Sequence, residues 1–309
     1  MNHITQTVTT QVAIMFILII TGYIMSKRRL ITKSGAADMS NILLTLVTPC
    51  VLINAYQTDI EYSMIKTLLY SFAASIVLHA VMIVLSTSIY KLQKDTEKRK
   101  INTFSAIYSN CGFMGIPLLQ ASLGSRGVFY GSAYLAIFNC IVWTHGKNMF
   151  DKSSGRPDIK KLILNPGIIG TVLAIALYFG NIRLPKFAAM AVDYTAGLNT
   201  PLAMLLLGNF LARANAIKAM KNIQIYIVSL LRLILFPLLA VVAFKFINAD
   251  KSMALALITG ISCPTATIAA LFAEKFNSDS AYASQIAAIT TLFSMITIPL
   301  IVRLAALLL

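Results

Sequence analysis

The stretch Tyr108-Ser109-Asn110-Cys111-Gly112-Phe113-Met114-Gly115-Ile116-Pro117 interrupts an apolar run with an amide, two glycines and a proline. Proline lacks a backbone donor and clashes with the preceding turn. Glycine admits close backbone approach and dihedral angles closed to other residues, so a helix through this stretch is expected to break. A second stretch, Gly260-Ile261-Ser262-Cys263-Pro264-Thr265-Ala266-Thr267, has the same character. Asn110-Cys111 and Ser262-Cys263 lie 152 residues apart, and Thr48-Pro49-Cys50 and Thr200-Pro201-Leu202 lie 152 apart as well, about half of the 309-residue chain.

Around these stretches the composition is 58% apolar and 12% charged, with a mean hydropathy of +0.77. Soluble domains carry about 45–50% apolar and about 25% charged residues, so an ordinary soluble domain is excluded. The apolar runs predict an all-α polytopic membrane protein with ten spans near 8–26, 36–56, 64–90, 102–121, 127–147, 162–180, 188–211, 222–247, 252–273 and 280–307. No Lys or Arg precedes the first run and Lys27-Arg28-Arg29 follows it, the reverse of a cleavable signal peptide, so this span is expected to stay. Cys50, Cys111, Cys140 and Cys263 show no CxxC spacing and read as free thiols, with no metal or cofactor implied.

The net charge of +15 would point to nucleic acid in a soluble protein. Here 18 of the 26 Lys and Arg residues fall in the loops after spans one, three, five, seven and nine, including Lys27, Lys98, Lys152, Arg156, Lys160, Lys161, Lys218 and Lys275. By the positive-inside bias those loops are cytoplasmic and both termini lie outside the cytoplasm, in an inner or plasma membrane. Nucleic acid is not an expected partner. The 152-residue offset divides ten spans into two sets of five, residues 1–152 and 153–309. An odd number of spans turns the second half upside down, the inverted-repeat plan in which interrupted helices meet near the midplane and form the site.

At these residues the sequence resembles the auxin efflux carrier family, which includes plant auxin exporters and bacterial carboxylate carriers and is distantly related to sodium–bile acid symporters. The resemblance rests on Asn110 followed by Met114-Gly115-Ile116-Pro117-Leu118-Leu119, on Cys140-Ile141-Val142-Trp143, and on Pro264 followed by Phe272-Ala273-Glu274-Lys275-Phe276-Asn277. It implies two inverted five-span repeats, a scaffold of spans one, two, six and seven, and a transport body of spans three to five and eight to ten. Broken spans four and nine cross within that body. It further implies elevator-like transport of an organic anion and a homodimer. Ser109 stands where plant carriers have proline, and the long central loop of many plant members is absent. The compact bacterial members therefore fit better, with malonate, malate, lactate or oxalate as the type of substrate.

An anion crossing hydrocarbon needs donors and positive potential, which helix N-termini supply. The expected substrate site joins Asn110, Cys111, Gly112, Gly115 and Pro117 with Asn139 of span five and Ser262, Cys263, Pro264, Thr265 and Thr267 of span nine. Pro49 and Pro201 are the expected hinges. Arg232, inside span eight, is open to facing the substrate, pairing with Asp193 or reaching water through a cavity. Asp193 reads as a proton site or a solvated interfacial carboxylate. His79, one residue from the repeat counterpart of Arg232, and His145 read as coupling groups or as structural and interfacial histidines. Trp143 reads as an interfacial anchor. No HExxH, GxSxG or Walker motif occurs, so an enzyme or ATP-driven pump is not expected. A secondary transporter coupled to a proton or sodium ion, or to none, is the leading reading. An anion channel or a non-transporting membrane sensor is the alternative.

Overall fold

The computed structural model describes residues 2–59, 61–151, 164–214 and 219–309, with side chains from Gln6 onward. Lys152, Arg156, Lys160, Lys161 and Lys218 of the expected cytoplasmic loops lie outside the described residues, as does the start of the expected sixth span. The described residues form helices and their connections: α1 (Asn2–Lys27), α2 (Lys33–Ile42), α3 (Thr48–Tyr56), α4 (Tyr62–Tyr90), α5 (Thr96–Ile107), α6 (Ile116–Ile141) and α7 (Lys147–Phe150) come first. After these come α8 (Pro166–Phe179), α9 (Lys186–Gly197), α10 (Asn199–Arg213), α11 (Ile223–Leu230), α12 (Phe236–Phe246), α13 (Lys251–Ser262), α14 (Ile268–Lys275) and α15 (Ser280–Leu308).

Against the ten expected spans, seven stretches among the described residues are long and apolar enough to cross a membrane, and α8 and α13 are shorter apolar helices. Apart from α8, which starts at its Asn165 cap, the difference arises at the breaks. The expected ninth span is cut at Cys263, which leaves a 12-residue and an 8-residue helix. One stretch, Cys111–Phe150, runs 40 residues through Gly124, whose φ of 61° and ψ of −154° are closed to a helix. The chain reverses there.

Helix starts follow from short polar side chains at the loop junctions. Asp95, Asn165, Asn222, Asp250 and Asp279 each accept a hydrogen bond from a backbone N–H of the first turn they precede. Helix ends use left-handed residues, namely Arg29, Asn181, Asn248 and Asn277. Each is followed by a residue that donates five positions back, as in Leu30 N–H to Met25 O at 2.9 Å and Ile182 N–H to Leu177 O at 2.9 Å.

Of the four π-helical turns among the described residues, three, Leu43–Val47, Cys111–Gly115 and Leu231–Leu235, end two residues before a proline: Pro49, Pro117 and Pro237. A proline ring clashes with the carbonyl four residues earlier, and widening the turn relieves that clash while the helix continues. Pro49 therefore sits just after a widened turn, and Pro201 follows the slight break at Leu198 between α9 and α10. α1 crosses α10 backbone to backbone. A Cβ on Gly22 would lie 2.3 Å from Leu205 O and one on Gly208 would lie 2.1 Å from Ile19 O, so only glycine allows the approach.

Candidate functional site

The two stretches that the sequence marks as breaks meet at the centre of the molecule. α5 ends at Ile107 and the chain resumes helical form at Cys111, while α13 ends at Ser262 and α14 begins at Ile268. The extended segments between them run antiparallel and pair across Ser109 and Thr265. Asn110 N–H donates to Pro264 O at 2.7 Å, and Ala266 N–H donates to Tyr108 O at 2.9 Å. Thr265 adds two bonds: its hydroxyl donates to Ser105 O at 2.9 Å, and its N–H donates to the Thr290 hydroxyl at 3.2 Å. Backbone groups that leave a helix in an apolar setting are thus satisfied by the other broken helix and by α15.

On one side of the crossing lies a cavity of about 670 Å³. Asn110, Gly112 and Phe113 from one broken helix and Ala266, Thr267 and Ile268 from the other form its inner end. These residues open the helices beyond the breaks, whose first N–H groups have no carbonyl a turn earlier to accept them and carry the positive dipole end. Asn110 is buried, and its amide Nδ2 has no hydrogen-bond partner. The walls are mostly apolar and aromatic, with Leu135, Phe138, Trp143, Leu207 and Phe210, and Thr48, Asn139 and Thr291 add polar groups. Lys33, Arg213 and Glu274 line the mouth, and Lys33 Nζ and Glu274 Oε1 form an ion pair at 2.8 Å across it.

Of the expected substrate residues, Asn110, Gly112, Asn139 and Thr267 line this cavity. Cys111, Gly115, Pro117, Ser262, Cys263, Pro264 and Thr265 are not among its lining residues and instead build the crossing behind it. Ser262 donates to Ile258 O at 2.6 Å, and Cys263 Sγ to Thr259 O at 3.3 Å. A Cβ on Gly115 would sit 3.4 Å from Cys263 Sγ, so the two thiol-bearing breaks come together at this glycine.

Arg232 does not pair with Asp193, and it does not reach water. Asp193 is exposed on α9, where Asn54 Nδ2 donates to its Oδ1 at 2.9 Å. Arg232 is fully buried behind the crossing, and its Nη1 donates to Ala106 O at 3.0 Å and Ile107 O at 2.7 Å, while Nη2 donates to Ile261 O. His79 is also buried, with Nδ1 2.8 Å from Ser75 O, its ring centroid 4.8 Å from that of Tyr134, and Nε2 unpartnered. His145 is half-buried and lies 2.7 Å from the Tyr108 hydroxyl. Trp143 is a wall of the cavity, edge-on to Phe272 at 5.3 Å between centroids. Phe113, Phe138, Phe210 and Thr291 escape sequence reasoning, because an aromatic or threonine in an apolar run carries no mark of which face it takes.

The fold and site together define a multi-pass membrane protein with a deep cavity at a crossing of interrupted helices. A family model described as "Membrane transport protein" matches residues 7–302, and the chain belongs to that family, the auxin efflux carrier family. A relative from Methanothermobacter thermautotrophicus, named as an uncharacterized transporter, is 23% identical over 317 residues, covering 94% of this chain and 96% of that protein.

Proposed function

We propose that this membrane transporter is a secondary carrier of a small organic anion, a mono- or dicarboxylate such as malonate, malate, lactate or oxalate. The observation that carries the reading is the inner end of the cavity. Two helix N-termini and the unpartnered Asn110 amide converge on one buried point. A carboxylate needs that set of donors, and an unpaired one in hydrocarbon would not be held. The apolar walls leave the rest of the substrate to shape and contact, as in most small-molecule sites.

We read the chain as ten spans in two inverted halves, 1–152 and 153–309. The left-handed caps Arg29 and Asn181 and their matching bonds, Leu30 to Met25 and Ile182 to Leu177, add a further feature at the 152-residue offset and support that reading. Alternating access is then an elevator motion of spans three to five and eight to ten against spans one, two, six and seven, in a homodimer. The cavity mouth sits among loops that the positive-inside bias assigns to the cytoplasm, which supports an inward-facing state and external termini in an inner or plasma membrane.

Purified protein in liposomes, loaded with one unlabelled carboxylate and offered a panel of labelled ones, tests the reading. Saturable uptake with counterflow is the expected result, whereas non-saturating conductance would identify a channel and no flux of any anion a sensor. Asn110→Ala is expected to abolish counterflow at normal membrane abundance. Retained transport with unchanged affinity would remove Asn110 from the site.

A further inference from the structure

The crossing has a second side, away from the cavity, where α5 and α13 end. The last four carbonyls of a helix lack partners within it and carry its negative dipole end. Ala106, Ile107 and Ile261 supply such carbonyls from two different broken helices, and one guanidinium, that of Arg232, binds all three. Arg232 comes from a third element, the π-helical turn Leu231–Leu235, and is fully buried. Nη1 also lies 3.5 Å from Met82 Sδ, and the Tyr134 side chain is a further hydrogen-bond partner of the guanidinium. Among the described residues no carboxylate forms an ion pair with it, so carbonyl dipoles balance its charge.

In carriers built from interrupted helices, unwound carbonyls and the C-terminal ends of half-helices are the ligands of the coupling cation, while the N-terminal ends take the anionic substrate. Both kinds of end are present here, on opposite sides of one crossing, and the cation ligands are already occupied by a side chain. We propose that Arg232 is a tethered cation standing in the place of a free one, so that the carrier cycles without binding sodium at the crossing. The proposal rests on the carrier reading above for its consequence in transport, but the cation site itself is testable without any substrate. A buried arginine is costly to desolvate, and a free sodium ion must be captured anew in each cycle. Fixing the cation in the chain places that cost in folding and leaves the motive force to the gradient of the substrate or of an exchanged anion.

The test uses the full-length protein in detergent and in liposomes. For the wild type, the unfolding temperature and the counterflow rate are expected to be unchanged when sodium chloride is replaced by choline chloride at constant ionic strength. Arg232→Ala opens the three carbonyls, and counterflow is expected to fall more than about tenfold with a lower unfolding temperature. Guanidinium chloride at millimolar concentration, far below the denaturing range, should raise the unfolding temperature of that variant saturably and leave the wild type unmoved. Arg232→Lys keeps the charge and serves where the alanine variant does not fold; it is expected to fold and to be indifferent to sodium. Saturable stabilisation or activation of the wild type by sodium overturns the proposal. So does an alanine variant that matches the wild type and ignores guanidinium. Because unfolding is read without substrate, loss of all carboxylate transport in the wild type would sink the carrier reading while leaving the cation result standing.

Discussion

Thr265 is the residue on which the crossing turns, because it reaches two other elements at once. Its hydroxyl closes the carbonyl of Ser105 in the last turn of α5, and its N–H is held by Thr290 of α15. Valine has the same shape without the donor. Thr265→Val therefore leaves the Ser105 carbonyl buried and unpaired, at a cost of about 1–3 kcal/mol. The unfolding temperature in detergent should drop, whereas Ser109→Ala, which loses a 3.3 Å contact with the Tyr134 hydroxyl and a weak bond with the Cys111 thiol, should drop less. Equal losses would mean that the pairing of the two backbones, not the threonine, holds the crossing. That Thr265 belongs to the crossing was legible from the Cys263-Pro264-Thr265 break. That its hydroxyl faces a carbonyl 160 residues away was not, since a threonine beside a break reads equally as a ligand or a strut. Asn110 was legible for the opposite reason: an amide between a helix end and a glycine has few structural uses in an apolar run.

Interrupted helices are the elements best written into this sequence, because glycine and proline act through local sterics that need no tertiary partner. The π-helical turns before Pro49, Pro117 and Pro237 follow the same rule, while the turn at Val142–Gly146 has no proline after it and no local signal. Gly124 gives a clean test of backbone geometry. A Cβ there would meet no heavy atom within 4 Å, so Gly124→Ala changes only the dihedral energy at φ 61° and ψ −154°. That region is nearly exclusive to glycine and costs other residues about 1–3 kcal/mol. Gly197, at the end of α9, also has open space around a Cβ but no positive φ, and makes the control. Gly124→Ala should lower the unfolding temperature by several degrees and Gly197→Ala should leave it level or raise it, because alanine there only restricts the unfolded chain. A neutral Gly124→Ala would show that the reversal between the two halves of Cys111–Phe150 relaxes without cost.

At the scale of the whole molecule, hydropathy and the placement of Lys and Arg make a multi-pass protein plain. The position of the cavity depends on which helix faces cross, and no run of sequence states that. The mouth shows how distant charges combine. Lys33 at the start of α2 and Glu274 near the end of α14 are 241 residues apart and pair at 2.8 Å, with side chains 77% and 57% exposed. An ion pair so exposed contributes about 0–1 kcal/mol and does not hold the mouth shut. Under the carboxylate reading, its effect is on the field an arriving anion meets: two cations, Lys33 and Arg213, with Glu274 opposing them. A charged mouth with apolar walls behind it concentrates counter-ions, and salt screens the effect, with a Debye length of about 30 Å at 0.01 M and about 8 Å at 0.15 M. Under the carboxylate reading, the KM for counterflow should therefore rise over that range of salt while the maximal rate stays level. Lys33→Gln should raise KM a few-fold at low salt and flatten the salt dependence, and Glu274→Gln should lower KM and steepen it. Opposite shifts at low salt that converge at high salt establish capture of the anion at the mouth. Shifts in the same direction, or shifts in maximal rate alone, would mean that the pair instead fixes α14 against α2 and governs the motion of the loaded carrier.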